Sequence, residues 1–396
     1  MKNTAGQRVR VGCYVEPITP LWSMRANIAM SRAMGADDIW FGDHAKSMFP
    51  ASAWRADISP MARLIPSLDA YLDPTVAIAR SVGRLGPRMG TAVTDSVRRT
   101  PADLARVWMS LHHLSRGRAV LGIGSGEHEN TVPFGLELEP RVGRLEDTLI
   151  AIRAAWESQG RPITHSGKFH RWTDATFALP TLRGTTPPIW VAGQGPRASR
   201  IAGRHGDGWL FILNAGTATW EEAAAQVVVG AQQAGRDADT MTRSVMFAPM
   251  LARDSKAADE LARQPMVHAM VLTLPGQSWT AAGATHPLGV DFAGFSELDP
   301  AVFEAGQLAE HGRGITQDLL RALVPFGTAD EVYDHLTPLI DQGVNHILLY
   351  SGASAVKPAL AAGHMAEQRR LMAKLKATGS NRLVPQTVDA VPAAVS

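Results

Sequence analysis

Eight short apolar runs, each followed by a segment with helical spacing, are the feature that most constrains the fold of this chain. The runs cover residues 8–15, 37–43, 88–95, 119–127, 187–195, 208–212, 244–252 and 345–352. Continuous apolar runs of this length are typical of strands that are buried on both faces of a parallel sheet. Eight strand–helix units predict an α/β fold, a closed (β/α)8 TIM barrel. A doubly wound open sheet is the alternative that the same pattern leaves open.

The helix after the third run carries the clearest signals at its ends. Thr100 suits the N-cap, Pro101 the first helical position, and Asp103 the first turn, while Gly117 ends the segment. Helical spacing also predicts helices over residues 24–34, 145–156, 328–343 and 357–376.

The barrel pattern predicts a single domain over residues 1–377. Two long stretches within it are not explained by the eight strand–helix units. Residues 44–87 and 265–317 are longer than a loop and a helix need, so we expect insertions that form a lid or a substrate wall. Large apolar side chains in these stretches are Met48, Phe49, Trp54, Trp279, Phe292 and Phe295. Residues 378–396 are rich in Pro, Ala and Val and predict a flexible tail.

Composition excludes several classes of protein. A net charge of +2 gives no electrostatic reason to bind nucleic acid. No run approaches 18 apolar residues, so we expect no stable membrane insertion, and the first residues lack the apolar core of a signal peptide. The single cysteine, Cys13, rules out an internal disulfide framework. We therefore expect a cytoplasmic protein.

The sequence lacks the residue spacing of several common ligand-binding and metal-binding motifs. In "GIGSGEHEN", Gly122 and Gly124 begin a dinucleotide fingerprint, but Glu127 stands where the third glycine belongs. No phosphate-binding loop with G-x-x-x-x-G-K-[ST] is present, and His112 and His113 are adjacent in a helix and point to different faces. The sequence predicts no metal site.

The ends of the predicted strands carry the groups that suit chemistry. Active sites of such barrels lie at the carboxyl ends of the strands. The residues there are Asp43, His44, Ala92, Val93, Gly124, Ser125, Gly126, Glu127, Ala192, Gly193, Gln194, Gly195 and Pro196. Glycines let a flat ligand or a phosphate approach the main chain, and burial beside them can make Glu127 a proton donor.

Five motifs in order, "FGDH", "GTAVTD", "GIGSGE", "WVAGQGP" and "AGRHGDGW", resemble the luciferase-like superfamily of flavin and deazaflavin enzymes. The resemblance covers about residues 9–375, and the glutamate of "GSGE" is similar to the branch that uses coenzyme F420. Four further segments, "IPSLDAYLDP", "VTDSVRRTPA", "LHHLSRGRAVLGIGSGE" and "THPLGVDFAGF", resemble mycobacterial phthiodiolone and phenolphthiodiolone dimycocerosate ketoreductases. This implies a luciferase-like barrel with insertions. F420 use and an Ala/Arg/Gly-rich composition suggest an actinobacterial source.

The resemblance implies a binding site for F420, with FMN as the alternative cofactor. The flat ring would lie across the barrel mouth against a cis peptide bond between Ala92 and Val93. Asp43 would contact the polar edge of the ring, and Gly124, Ser125, Gly126 and Asn130 would line the site. A loop-capping role is the alternative for Asp43 and Asn130. The phosphate arm would lie along Ala192, Gly193, Gln194, Gly195 and Pro196, where a helix begins. Arg197, Arg200 and Arg204 would meet the anionic arm or form a solvated helix face.

His44 and Glu127 are the catalytic candidates that the resemblance implies. Hydride addition to a ketone leaves an alkoxide that needs a proton, which a buried acid can supply. The sequence "AKSMFP" after His44 lacks the tryptophan that related sugar-phosphate dehydrogenases have there, and no lysine-rich phosphate clamp follows. We therefore do not expect a sugar-phosphate substrate.

We therefore expect an enzyme, an F420-dependent oxidoreductase acting on a hydrophobic, possibly lipidic, ketone or alcohol. An FMN-dependent monooxygenase and a non-catalytic deazaflavin- or lipid-binding barrel are the alternatives. The family resemblance implies a homodimer.

Overall fold

Eight parallel strands close into a barrel in the computed structural model, which describes residues 7–83, 85–213, 218–294, 303, 305–351 and 358–380. The barrel strands are β1 (Arg10–Val15), β2 (Asp38–Phe41), β3 (Arg88–Thr91), β4 (Ala119–Gly124), β5 (Ile189–Ala192), β6 (Gly208–Ile212), β7 (Thr242–Phe247) and β8 (His346–Tyr350). Each strand pairs with the next along the chain, and β8 pairs with β1. The predicted barrel is therefore confirmed, and the open sheet is wrong because no edge is left between β8 and β1.

Helices connect the strands on the outside of the barrel. They are α1 (Leu21–Ala33), α2 (Pro74–Ser81), α3 (Pro101–Leu114), α4 (His128–Thr131), α5 (Arg141–Glu157), α6 (Pro196–His205), α7 (Trp220–Gln233), α8 (Ser255–Ala262), α9 (Pro265–Leu272), α10 (Gly276–Ala281), α11 (Ala305–Gly312), α12 (Gln317–Leu323), α13 (Ala329–Asp341) and α14 (Pro358–Lys376). The predicted cap of α3 is present, because the Asp103 amide donates to the Thr100 hydroxyl at 3.2 Å. Thr328 and Glu331 form a capping box at the start of α13.

Two large tryptophans fill the inside of the barrel. Trp40 of β2 and Trp190 of β5 are fully buried, with ring centroids 4.5 Å apart. Below them Asp38 is also fully buried and accepts from His346 at 2.8 Å and from Arg10 at 2.7 Å. Because side chains fill the barrel interior and pair its polar groups there, a ligand can bind only at the open end of the barrel.

Short elements lie outside the barrel frame. Antiparallel strand pairs join Gln7–Arg8 to Gly379–Ser380 and Ile163–Ser166 to Arg171–Ala175. Met250–Leu251 pairs in parallel with Phe326–Gly327, and Thr94–Asp95 pairs with the end of β4. The 3-10 turns are Ala51–Ala53, Pro60–Arg63, Val132–Phe134 and Ala238–Thr240.

The two predicted insertions contribute to one hydrophobic cluster of their own. It joins Trp54 and Ile65 to Met266 of α9, Trp279 of α10 and Leu320 of α12. Phe295 and residues 381–396 of the predicted tail lie outside the described residues. Within the described part of the chain, none of the helices has the length and apolarity needed to cross a membrane.

Candidate active site

A cleft of about 560 Å³ opens at the carboxyl ends of the barrel strands. We call it the cofactor cleft. The predicted site residues that line it are Asp43, Val93, Gly124, Ser125, Gly126, Glu127, Asn130, Ala192, Gly193, Gln194, Gly195, Pro196 and Arg197. Ala92 and His44 line a neighbouring cavity of about 140 Å³, the apolar cavity, together with Val93 and Glu127. The fold therefore brings residues from four separate strand ends to two adjoining spaces.

One wall of the cleft is a backbone bulge between β3 and β4. The Ala92–Val93 peptide bond is cis, as the family resemblance implied. Gly124 packs against this bulge so closely that a Cβ there would lie 3.0 Å from Cγ2 of Val93. Gly126 has a φ of +97°, a conformation that favours glycine. Larger residues at these positions would narrow the cleft or strain its floor.

The far end of the cleft suits an anion. Helix α6 begins at Pro196, and its first internal bond runs from the Ser199 amide to the Gly195 carbonyl at 3.0 Å. The amides before Ser199 lie at the positive end of the helix dipole. Arg197 lines the cleft there. These groups fit a phosphate arm such as that of F420 or FMN.

Two of the arginines considered for the cofactor arm face neighbouring helices instead. Arg200 donates to the Gln226 side chain of α7, and Arg204 pairs with Glu146 of α5 at 2.5 Å. They hold α6 against its neighbours, so Arg197 is the one of the three that lines the cleft.

Asp43 is buried between two arginines. Its carboxylate lies 3.3 Å from Arg98 and 3.2 Å from Arg99, and the Arg98 guanidinium also donates to the Asp43 carbonyl at 2.5 Å. These ion pairs hold Asp43 and the loop after β2 in place where Asp43 lines the cleft. Contact between Asp43 and the cofactor ring stays a prediction.

His44 and Glu127 meet where the cofactor cleft joins the apolar cavity. Nδ1 of His44 lies 3.8 Å from Oε2 of Glu127. His44 is nearly buried, whereas 24% of the Glu127 side chain is exposed to the open space. Two residues before His44, Gly42 leaves no room for a side chain, because a Cβ there would overlap the Tyr14 hydroxyl. Glu127 is the residue before α4, whose single turn directs Glu129 and Asn130 inward.

Asn130 links these groups. Its side-chain oxygen accepts from the Ala45 amide at 2.7 Å, so its nitrogen faces the other side. That nitrogen lies 3.1 Å from Nδ1 of His44, from Oε2 of Glu127 and from Oε1 of Glu129. An amide nitrogen has two hydrogens and cannot serve three acceptors at once. At most two of the three contacts are therefore hydrogen bonds from Asn130 at any one time.

Glu129 was not among the sequence candidates. It is buried, and its second oxygen has no hydrogen-bond partner among the described residues. The spacing of carboxylates in "GEHEN" could have found it, since a one-turn helix brings Glu127, Glu129 and Asn130 close together. The donor atoms of His44, Glu127 and Glu129 lie within 4.8 Å of one another, as they would around a metal ion. The Asn130 amide points its hydrogens at the same atoms, which opposes a cation there.

The electrostatics of the network favour protonated groups. Burial and the charge of Glu129 raise the pKa of Glu127 well above its usual range, although His44 opposes this. Burial alone would lower the pKa of His44, but Glu129, Glu127 and Glu16 outweigh it and raise the pKa to about 9. The pair can therefore hold and release a proton at a pH near neutrality.

The apolar cavity has one acidic residue that sequence reasoning missed. Glu16 follows β1, is enclosed by aromatic side chains, and accepts from Tyr14 at 3.3 Å and from Tyr350 at 3.2 Å. Tyr71 also hydrogen-bonds to it, and burial raises the pKa of Glu16. The other walls are mainly apolar, including Met48, Phe49, Leu210, Ile212, Met246 and Met270. This cavity suits an apolar molecule whose reacting group faces Glu127.

Comparison with known proteins agrees with the fold and shows the family. The family model of luciferase-like monooxygenases matches residues 33–346. The chain is 34% identical over 346 residues to the phthiodiolone/phenolphthiodiolone dimycocerosates ketoreductase of Mycobacterium tuberculosis, covering 87% of this chain and 91% of that one.

Solved structures share the barrel at low sequence identity. An F420-dependent secondary alcohol dehydrogenase in complex with an F420–acetone adduct superposes with a TM-score of 0.68 at 16% identity, covering 93% of this chain and 99% of that one. A riboflavin lyase with modified FMN gives a TM-score of 0.63 at 18% identity, covering 96% and 94%. This protein belongs to the luciferase-like family. Its barrel fold is shared by an F420-dependent protein and by a protein with modified FMN.

Proposed function

We propose that this protein is an F420-dependent oxidoreductase that interconverts a hydrophobic ketone and its alcohol. The observation that carries the proposal is the position of Glu127, which lines both the cofactor cleft and the apolar cavity. A proton donor is needed where a ligand in the cleft meets a carbonyl in the cavity. The similarity to a ketoreductase and to an F420-dependent secondary alcohol dehydrogenase supports the proposed reaction.

The cofactor cleft fits F420 in shape and chemistry. A floor of glycines beside the Val93 bulge accepts a flat ring, and the start of α6 with Arg197 accepts a phosphate. When bound in its reduced form, F420 supplies a hydride to the carbonyl carbon.

Glu127 and His44 would complete the reduction by supplying a proton. The carbonyl oxygen of the substrate gains negative charge as its carbon is reduced, and protonated Glu127 gives that oxygen its proton. His44, when protonated, stabilises the resulting Glu127 carboxylate, while Asn130 donates a hydrogen bond that holds Glu127 in place. In the reverse direction the Glu127 carboxylate takes the alcohol proton. The apolar walls exclude water from the reacting carbonyl.

Equilibrium binding of F420 and of FMN to the purified protein, followed by tryptophan fluorescence, tests the cofactor. We expect F420 to bind at micromolar concentration or below and FMN to bind far more weakly. Oxidation of reduced F420 by a series of ketones of increasing chain length then tests the reaction.

Two other outcomes would replace the proposal. Tight FMN binding without F420 binding would point to the FMN-dependent monooxygenase chemistry of other family members, and oxygen consumption would then be measured. Binding of F420 with no turnover of any ketone or alcohol would point to a barrel that only stores a deazaflavin or a lipid.

A further inference from the structure

A second cavity lies behind the apolar cavity, between the barrel and α1. We call it the inner cavity; its volume is about 70 Å³. The residues that line both cavities are Tyr14, Glu16, Phe49, Met270 and Tyr350. A single layer of side chains therefore separates the proposed position of the substrate carbonyl from a further enclosed space.

The inner cavity contains polar side chains that have no hydrogen-bond partner among the described residues. Gln368 of α14 lines it and is 1% exposed, yet neither its amide nitrogen nor its amide oxygen has a hydrogen-bond partner among the described residues. The Ser351 hydroxyl, which lines the same cavity, is also buried and lacks a partner in the described part of the chain. Burying such groups unpaired is unfavourable, so polar atoms in this position normally meet a ligand or water.

Part of the wall between the two cavities consists of apolar side chains, those of Phe49 and Met270, that no side-chain hydrogen bond holds in place. The rings of Phe49 and Tyr350 are stacked with centroids 6.4 Å apart and planes 22° apart. Met270, on α9, contributes a flexible thioether chain. Phe49 and Met270 come from the two insertions rather than from barrel strands, so their displacement leaves the hydrogen-bonded frame intact.

We propose that the inner cavity is a second substrate compartment, which receives the end of an alkyl chain that carries a hydroxyl or carbonyl oxygen. This inference rests on the proposed function. The ketone group lies beside Glu127, the chain passes between Phe49 and Tyr350, and the distal oxygen reaches Gln368. A hydroxyl there donates to the Gln368 oxygen and accepts from its nitrogen. The substrate class is therefore an apolar ketone with a second oxygen function, rather than a plain hydrocarbon ketone.

Paired substrates test this compartment directly. The kcat/KM of a medium-chain methyl ketone is compared with that of the same ketone bearing a terminal hydroxyl, over several chain lengths. We expect the parent protein to prefer the hydroxylated ketone by about tenfold at one chain length, because the hydroxyl satisfies buried groups. Equal values at every length would overturn the proposal and assign the inner cavity to water.

Variants locate the preference in the inner cavity. Gln368→Met keeps the length of the side chain but loses its donor and acceptor, so the preference for the hydroxylated ketone should disappear. Met30→Leu, in the apolar lining of the same cavity, is the matched control and should keep the preference. Loss of the preference in the control alone, or its survival in Gln368→Met, would refute the role of Gln368.

A binding measurement separates this inference from the proposed function. Trp54 lines the inner cavity, so its fluorescence reports the entry of a medium-chain alkanol without any cofactor, with Trp54→Phe as the blank. Alkanol binding that is weakened in Gln368→Met supports the compartment even if no ketone is reduced. Ketone reduction without a hydroxyl preference, and with alkanol binding equal in both proteins, rejects the compartment and leaves the proposed function standing.

Discussion

Replacing Glu127 by glutamine removes a proton donor while changing little else. A glutamine oxygen can still accept from the Asn130 amide, which lies 3.1 Å from the Glu127 carboxylate. General acid catalysis typically contributes about a hundredfold to ten-thousandfold in rate, or about 3–5 kcal/mol of barrier. His44 lies 3.8 Å away and can supply part of the lost proton transfer. We therefore expect Glu127→Gln to lower kcat for ketone reduction by about a hundredfold to a thousandfold.

The assay is the oxidation of reduced F420 by a saturating ketone under single-turnover conditions, with F420 affinity measured separately. The dissociation constant of F420 should change by no more than about threefold, because a neutral side chain of equal size replaces the carboxyl group. Glu157→Gln, an exposed change at the end of α5, is the matched control. A kcat for Glu127→Gln within about threefold of the parent would refute the assignment of Glu127 as the acid.

Three further outcomes follow from the same structure. The pKa of His44 is raised to about 9, and the pKa of Glu127 is also raised. Because ketone reduction needs a protonated donor, its rate should decline as pH rises towards 9, whereas the rate of alcohol oxidation should increase. Parallel pH profiles in both directions would contradict this. Gly126→Ala should destabilise the folded state by about 1–3 kcal/mol in urea unfolding, because φ is +97° there, and an unchanged midpoint would contradict the strain. Asp38→Asn should cost about 3–5 kcal/mol at neutral pH, because it breaks the buried pair with His346. Burial opposes the charge on Asp38, but His346, Arg88 and Arg10 outweigh it and hold the pKa of Asp38 below its usual range. The stabilisation is therefore present above the unfolded pKa of about 3.9 and is lost at lower pH, so the parent and Asp38→Asn should converge in acid.

The barrel could be predicted because its signals are local. Each barrel strand overlaps one of the short apolar runs of the sequence, and the Thr100 cap lies within a few residues of the helix that it starts. The positions of Glu127 and of the Gly195–Pro196 turn at strand ends follow from the same rule, that parallel strands present their carboxyl ends at one face. The cis bond at Ala92–Val93 followed from the family resemblance and not from any local pattern.

The parts of the site that could not be predicted depend on contacts between distant segments. Glu16 follows β1, Tyr71 lies in an insertion, and Tyr350 ends β8, so no short stretch reveals that they meet. Arg200 and Arg204 look like Arg197 in the sequence, since all three lie in one helix. Only the packing of α6 against α5 and α7 decides which of them faces the cleft.

The division of the apolar cavity between the barrel and the insertions has a consequence for how this protein can diversify. Val93 and Glu127 lie at the ends of strands β3 and β4 of the closed barrel frame, and Glu127 accepts a hydrogen bond from Asn130. Phe49 and Met270 stand on segments outside that frame. Substitutions in those segments can therefore alter which molecules are accepted while the reaction itself is preserved. Libraries confined to residues 46–70 and 265–294, which leave out His44 and Tyr71, would therefore sample new substrates while keeping the residues proposed to transfer the proton.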